Sequence, residues 1–320
     1  MPASVYNHLE RLSPLPDRFV FGEKTDITQF FNYTVPLGVR GKRITFVHDM
    51  SYKSCPDTMA LKTKRWLEDH LEQYCRRADL VITISEFSKC EIIKYLAIPS
   101  KKIHVVHCGV DLKQYREIDN IKQIEDVKQK YGIVGNYILY LGTLEPRKNL
   151  DSLLTAYMYL KKEQKFVPNL VLAGKKGWLY DSIFEKVKEY GLQENVVFPG
   201  YIAASDAPIL LSGALLFVFP SLYEGFGIPP LEAMAWGTPV ITSNSSSLPE
   251  VVGDAAILTD PLDIQGLKNA MQKLINSPEL RRKLKEKGKL RAEQFSWRAS
   301  AKRLLNIYNE VKMETGNADI

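Results

Sequence analysis

From residue 44 onward, short apolar runs rich in β-branched residues alternate with longer segments whose apolar positions recur at three- and four-residue steps. Residues 44–47 (ITFV), 80–83 (LVIT) and 103–107 (IHVVH) read as strands, with helices over 58–78 and 87–95 between them. Ser85 stands where a helix N-cap is expected. After a polar, charge-rich stretch near 118–133, a second series begins. Its strands fall at 137–141, 170–173, 196–198, 215–219, 240–242 and 256–258, with helices over 150–162 and 181–189. Continuous apolar strands separated by helices imply parallel sheets covered on both faces. Two such series predict an α/β chain of two doubly wound, parallel-sheet domains. The expected division is 1–117 and 118–297, with a C-terminal helix over 298–320. Residues 1–40 give no clear opening strand.

In open parallel sheets, ligands sit beyond the carboxyl ends of the strands. The strand 137–141 runs into Gly142-Thr-Leu-Glu-Pro-Arg147-Lys148-Asn149 and then a helix. Gly142 would let the backbone turn tightly. Arg147 and Lys148 would lie beside the positive end of the next helix, a good setting for a diphosphate. A plain surface Arg-Lys pair is the competing reading while the motif stands alone. The strand 215–219 runs into a loop containing Glu224, Gly225, Phe226, Gly227, Ile228 and, in the first helical turn, Glu232. The glycines uncover backbone N–H groups, and Pro230 suits the first helical position. A carboxylate accepts paired hydrogen bonds from sugar or ribose hydroxyls. Glu232 could instead be serving the helix dipole. His48 follows the strand 44–47, where an imidazole can meet a ligand, although a lone histidine is more often structural.

These residues resemble the retaining glycosyltransferases called family 4, or group 1. Residues 220–256 (PSLYEGFGIPPLEAMAWGTPVITSNSSSLPEVVGDAA) resemble the family's Glu-x7-Glu motif, with Glu224 and Glu232 at the right separation. YLGTLEPRKN at 140–149 resembles its phosphate-binding loop. VHDM at 47–50, ADLVITISEFSK at 78–89 and HCGVD at 107–111 resemble the closing part of its N-terminal domain. FSW at 295–297 resembles the start of its last helix, which crosses back to the first domain.

The resemblance implies two Rossmann-like domains facing a cleft, the GT-B arrangement, and metal-independent transfer from a nucleotide-diphosphate sugar. Arg147 and Lys148 would hold the diphosphate, and backbone groups near Gly225–Ile228 the phosphates and sugar. Glu224 would meet a sugar hydroxyl, Glu232 the ribose, and Tyr201 would lie near the base. His48 would approach the transferred sugar from the other domain. Stretch 222–235 looks like mannosyltransferase sequences, which favours mannose as the sugar. Only 47 residues precede His48, and no glycine-rich loop is recognisable there. Relative to the family, opening βα units are therefore expected to be missing or reduced. That leaves open a protein partner completing the domain, or a non-catalytic subunit that binds nucleotide sugar. A nucleotide-sugar epimerase or phosphorylase of related architecture is a further alternative.

Composition narrows the rest. With 45% hydrophobic and 25% charged residues the chain can build cores and is not disordered. Its net charge of +6 is a mild excess. Lys and Arg at 281–289 look like a nucleic-acid patch, but Glu279, Glu286 and Glu293 interleave, so a solvated helix face is the better reading. Cys55, Cys75, Cys90 and Cys108 never form Cys-x-x-Cys, which argues against a zinc site or disulfide scaffold and fits a cytoplasmic protein. There is no Asp-x-Asp motif, and neither metal nor cofactor is expected. No stretch approaches the ~20 apolar residues of a membrane span, and residues 1–11 lack a signal-peptide core. A peripheral contact at the inner membrane face, for a lipid-linked acceptor, remains open through Trp66 with the basic residues around it and Arg76 and Arg77.

Overall fold

A computed structural model describes residues 25–39, 41–111 and 120–316, the side chains of 313–316 excepted. The chain divides into two compact units: one runs to His107 and takes in the chain again from Arg298, and the other is Cys108–Trp297. The expected boundary at 117/118 lies outside the described residues.

The first unit is built on four parallel strands, β1 (Ile27–Phe30), β2 (Lys42–Phe46), β3 (Leu80–Thr83) and β4 (Ile103–Val105), in the order β1-β2-β3-β4. β1 corrects the sequence reading, which found no opening strand. ITQF carries only two apolar residues, all four positions are half-buried, and the strand occupies a sheet edge, so its apolar signal is weak. Its register is set all the same, with Ile27 opposite Lys42 and Phe30 opposite Thr45. One face of this sheet packs against the helices Leu61–Arg77 and Glu86–Leu96, through Leu71, Cys75 and Ile92. The other packs Ile44, Phe46, Ile82 and Val106 against Ile307 and Val311 of the helix Trp297–Gly316. Both faces are therefore covered, as an all-parallel sheet requires. Ser85 is an N-cap: its hydroxyl accepts from the Ser88 N–H at 3.0 Å.

The second unit has six parallel strands: β5 (Tyr137–Leu141), β6 (Asn169–Ala173), β7 (Val196–Gly200), β8 (Leu216–Phe219), β9 (Val240–Ser243) and β10 (Ile257–Thr259). Their order is β10-β9-β8-β5-β6-β7. Leu139, Leu172, Phe217 and Ile241 in the central strands are fully buried. The chain winds outward from β5 through β6 and β7, then returns to β8 on the other side of β5. β5 and β8 thus flank a topological switch point, where loops after neighbouring strands part and leave a crevice. The two loops singled out in the sequence follow these two strands.

Candidate active site

At the end of β5, the Gly142 N–H donates to Ala173 O at 3.0 Å. A Cβ at 142 would lie 2.8 Å from the Tyr140 hydroxyl, so close approach, rather than a turn with positive φ, demands the glycine. A 3-10 turn over Pro146–Lys148 then brings round Arg147 and Lys148. Asn149, in the left-handed region at φ 58°, starts the helix Leu150–Glu163.

The loop after β8 meets that turn. Lys148 Nζ lies 2.6 Å from Glu224 Oε1, and Arg147 Nη1 lies 3.1 Å from Glu224 Oε2. Arg147 also donates to Tyr223 O at 2.8 Å and to Glu145 Oε1 at 2.9 Å. The Lys148 ammonium stands 5.0 Å from the centre of the Phe219 ring. Only 10–11% of the Lys148 and Glu224 side chains is exposed, against 22% for Arg147. Burial opposes ionisation of Glu224, but the charges of Lys148 and Arg147 outweigh it and hold the carboxyl below its usual range. The sequence reading gave the cations to phosphate and Glu224 to sugar. The structure shows all three as one charge cluster at the switch point.

Two features that hold this cluster were not singled out in the sequence. The Asn149 amide donates to Pro220 O at 3.1 Å and to Pro261 O at 2.7 Å, tying the β5 loop to the chain after β8 and after β10. The serines after β9 brace the β8 loop. Ser246 Oγ accepts from the Glu224 N–H at 2.9 Å, and Ser247 Oγ lies 2.8 Å from both Glu224 O and Phe226 O. Ser245 Oγ donates to Leu222 O at 3.0 Å. The rule that ligands gather after strands, applied to β9, would have drawn attention to this SNSSS stretch. Asn149→Ala should lower stability by about 2–4 kcal/mol, through two unpaired carbonyls and an unfavourable φ. Asn149→Gly should recover about 1 kcal/mol of that by relieving the φ alone. Urea denaturation checks both values.

Gly227 caps the helix Ile228–Ala235 at φ 117°, and Phe226 packs edge-on against Phe295 with ring centres 5.6 Å apart. Gly225 is buried beside them. Two details differ from the sequence reading. Glu232 is the fifth helical residue, in the second turn, because the helix begins at Ile228; Pro230 is accordingly third rather than first. Tyr201 stands beyond β7, two strands from β5, 63% exposed, with Lys175 Nζ 4.7 Å from its ring centre. His48 belongs to the first unit, half-buried at the carboxyl end of β2, with Nε2 3.0 Å from Phe31 O. The structure thus joins Arg147, Lys148 and Glu224 directly, and places Gly142 and Gly225–Gly227 in the same two loops, with Ile228 beginning the helix that follows.

A parallel sheet that brings two cations and a carboxylate together at its switch point has the form of a ligand-binding crevice. Comparison with known proteins names the class. Residues 123–291 match the family described as glycosyl transferases group 1, and residues 20–114 match glycosyltransferase family 4. The chain belongs to this glycosyltransferase family. It is 36% identical over 271 residues to the O-antigen chain mannosyltransferase B of Escherichia coli, covering 83% of this chain and 70% of that protein. It is 35% identical over 228 residues to the E. coli serotype-specific mannosyltransferase WbdA, covering 70% of this chain but only 28% of WbdA. The sucrose-phosphate synthase of Thermosynechococcus elongatus superposes with a TM-score of 0.76 at 23% identity, covering 96% of this chain and 77% of that one. Anabaena HepE in complex with UDP gives 0.72 at 21% identity, covering 84% and 72%. At these identities the likeness to solved structures bears on the fold, which is that of GT-B glycosyltransferases.

Proposed function

We propose that the chain transfers mannose from a nucleotide-diphosphate donor to a glycan or lipid-linked acceptor in polysaccharide synthesis, with retention of configuration and without a metal ion. The mannosyltransferase relatives support the sugar and the pathway class. The observation that carries the donor assignment is the buried contact of Arg147 and Lys148 with Glu224 at the β5–β8 switch point. Cations held in a low-dielectric site stabilise charge developing on a leaving diphosphate far better than they would in water. The positive end of the helix Ile228–Ala235, which begins at Gly227 and Ile228, adds to this field. Glu224 accepts from a sugar hydroxyl, Glu232 from the ribose, and Tyr201 stacks near the base. The departing phosphate oxygen takes the acceptor's proton, so no side chain needs to act as a strong base.

Thermal melting against GDP, UDP and ADP tests the donor site first. A nucleotide at 100 times its Kd adds about 2.7 kcal/mol of stability. Turnover of the matching sugar nucleotide, followed in EDTA, with the product anomer read by NMR, tests the reaction. Inversion, or activity abolished by chelation, would overturn the mechanism. Nucleotide binding without turnover on any acceptor would point instead to a non-catalytic subunit. Arg147→Ala and Lys148→Ala should each weaken donor binding by roughly 1.5–3 kcal/mol, the worth of one charge-assisted bond. Unchanged donor affinity in both variants would sink the phosphate assignment.

A further inference from the structure

At the end of its sheet away from the charge cluster, the second unit leaves a bulky apolar side chain in water. A cavity of about 530 Å³ opens there, at the amino ends of β5, β6 and β8. Phe166, in the turn before β6, lines it and is 82% exposed, the most of any large apolar side chain among the described residues. Val134, before β5, is 74% exposed, and the half-buried Leu215 and Ile275 continue the apolar surface inward. Lys161, Lys165 and Arg281 share the lining, which contains no carboxylate. Arg281 donates to Ile275 O at 2.7 Å, at the end of the helix Ile264–Asn276. Lys161 and Lys165 have no ion-pair partner among the described residues, and the Lys165 ammonium lies 5.5 Å from the centre of the Phe166 ring. Glu163, the one acidic residue of stretch 161–169, is taken up by Lys268 at 2.6 Å. Lys161 stands in the last turn of the helix Leu150–Glu163, where the dipole favours a cation. That accounts for Lys161 alone. It explains neither Lys165 nor an aromatic ring left in water beside a second apolar tip.

We propose that this end of the second unit docks on an anionic lipid surface, with Phe166 and Val134 entering the interface and Lys161 and Lys165 meeting headgroup phosphates. The charges are complementary, and the two kinds of side chain divide as an interface requires: apolar bodies leave water while ammonium groups stay among the phosphates. Among the described residues no helix is long and apolar enough to cross a membrane, so contact of this kind is made from the surface. The face differs from the one singled out in the sequence. Trp66 is packed against the core of the first unit and stacks on His70, with ring centres 5.3 Å apart, whereas Phe166 is left in water. Docking would hold the chain beside a lipid-linked acceptor. That consequence rests on the proposed function; the docking itself does not.

Co-sedimentation of the full chain with phosphatidylcholine vesicles, with and without phosphatidylglycerol, tests this. Binding should require phosphatidylglycerol and weaken as salt is added. Lys161→Ala/Lys165→Ala should weaken it by about tenfold or more, each lysine near an anionic surface being worth about fivefold. Phe166→Ser should also weaken it. Phe166→Trp should bind as the wild type does, and brominated acyl chains should quench its emission beyond their effect on the wild type. Lys62→Ala/Arg65→Ala, which removes two exposed cations of the helix Leu61–Arg77, is the charge-matched control and should bind normally. Melting temperature and nucleotide binding should hold in every variant, which separates this face from the donor site. Equal loss in the control, no added quenching in Phe166→Trp, or vesicle binding indifferent to phosphatidylglycerol would overturn the proposal. So would the absence of vesicle binding, and if the chain then bound a soluble peptide of alternating Glu and Phe through Lys161 and Lys165, the cleft would belong to an acidic protein segment instead.

Discussion

Glu224→Ala should cost about 3–5 kcal/mol of unfolding free energy, because it strips the counter-charge from a lysine whose side chain is only 10% exposed. Arg147 loses a partner at the same time but keeps Tyr223 O and Glu145, so the larger share of the damage falls on Lys148. On the proposed roles, turnover should fall by roughly 10²-fold, since the displaced cations would no longer order the diphosphate and the sugar hydroxyl would lose its acceptor. Glu224→Gln keeps the shape and one acceptor oxygen, so it should sit between wild type and alanine. The pH dependence has a definite sign. A carboxyl whose folded pKa lies below its ordinary 4.5 contributes stability that is present above that value. That contribution is lost as the pH falls from 4.5 through the depressed folded value. Wild type should therefore lose stability in that acid window, while Glu224→Gln, lacking the titrating group, stays flatter there. Urea denaturation at pH 7 and near pH 4 measures both effects. A loss below about 1 kcal/mol with turnover intact would mean that the three charges behave as a solvated surface cluster.

The same triad shows which parts of the site were legible. Arg147, Lys148 and Glu224 could be found because each follows a strongly apolar strand, and the strand-end rule needs only local sequence. Their mutual pairing could not, because Glu224 lies 76 residues from Lys148 and the two meet only through the β5–β8 adjacency. Strand order is a tertiary property that no period or turn signal reports. Asn149 was hidden for a related reason: its two acceptors come from two other strand ends. The serines after β9 act through hydroxyl bonds to a neighbouring loop, which composition does not mark. Alternation resolved both sheets where strands are central and apolar, and failed at β1, an edge strand of mixed polarity. Glu232 was misplaced by one turn because two prolines made the helix start ambiguous, and Ile228, not Pro230, begins it.

Gly174→Ala should be the most damaging single-methyl change in the second unit, at about 4 kcal/mol or more, which is exceptional for a point substitution. Gly174 follows β6 at φ +146°, and an added Cβ would sit 1.8 Å from Gly142 O and 2.6 Å from Gly142 C. Both are backbone atoms, so no rotamer change can relieve the overlap. The strands are locked on either side: Gly142 N–H donates to Ala173 O at 3.0 Å, and Gly174 N–H donates to Gly200 O at 2.8 Å. Making room requires the chain after β5 to move, and that chain carries Arg147 and Lys148 five and six residues on. Nucleotide binding should therefore be lost even in the fraction that stays folded. Gly191→Ala provides the contrast, since φ there is +65° but nothing lies within 4 Å of the new methyl. It should cost only the left-handed strain of about 1–2 kcal/mol and leave nucleotide binding unchanged. The difference between the two variants in urea denaturation isolates steric overlap from backbone strain. If Gly174→Ala proves no worse than Gly191→Ala, the close approach of the β5 and β6 loops is not a constraint on the proposed donor site.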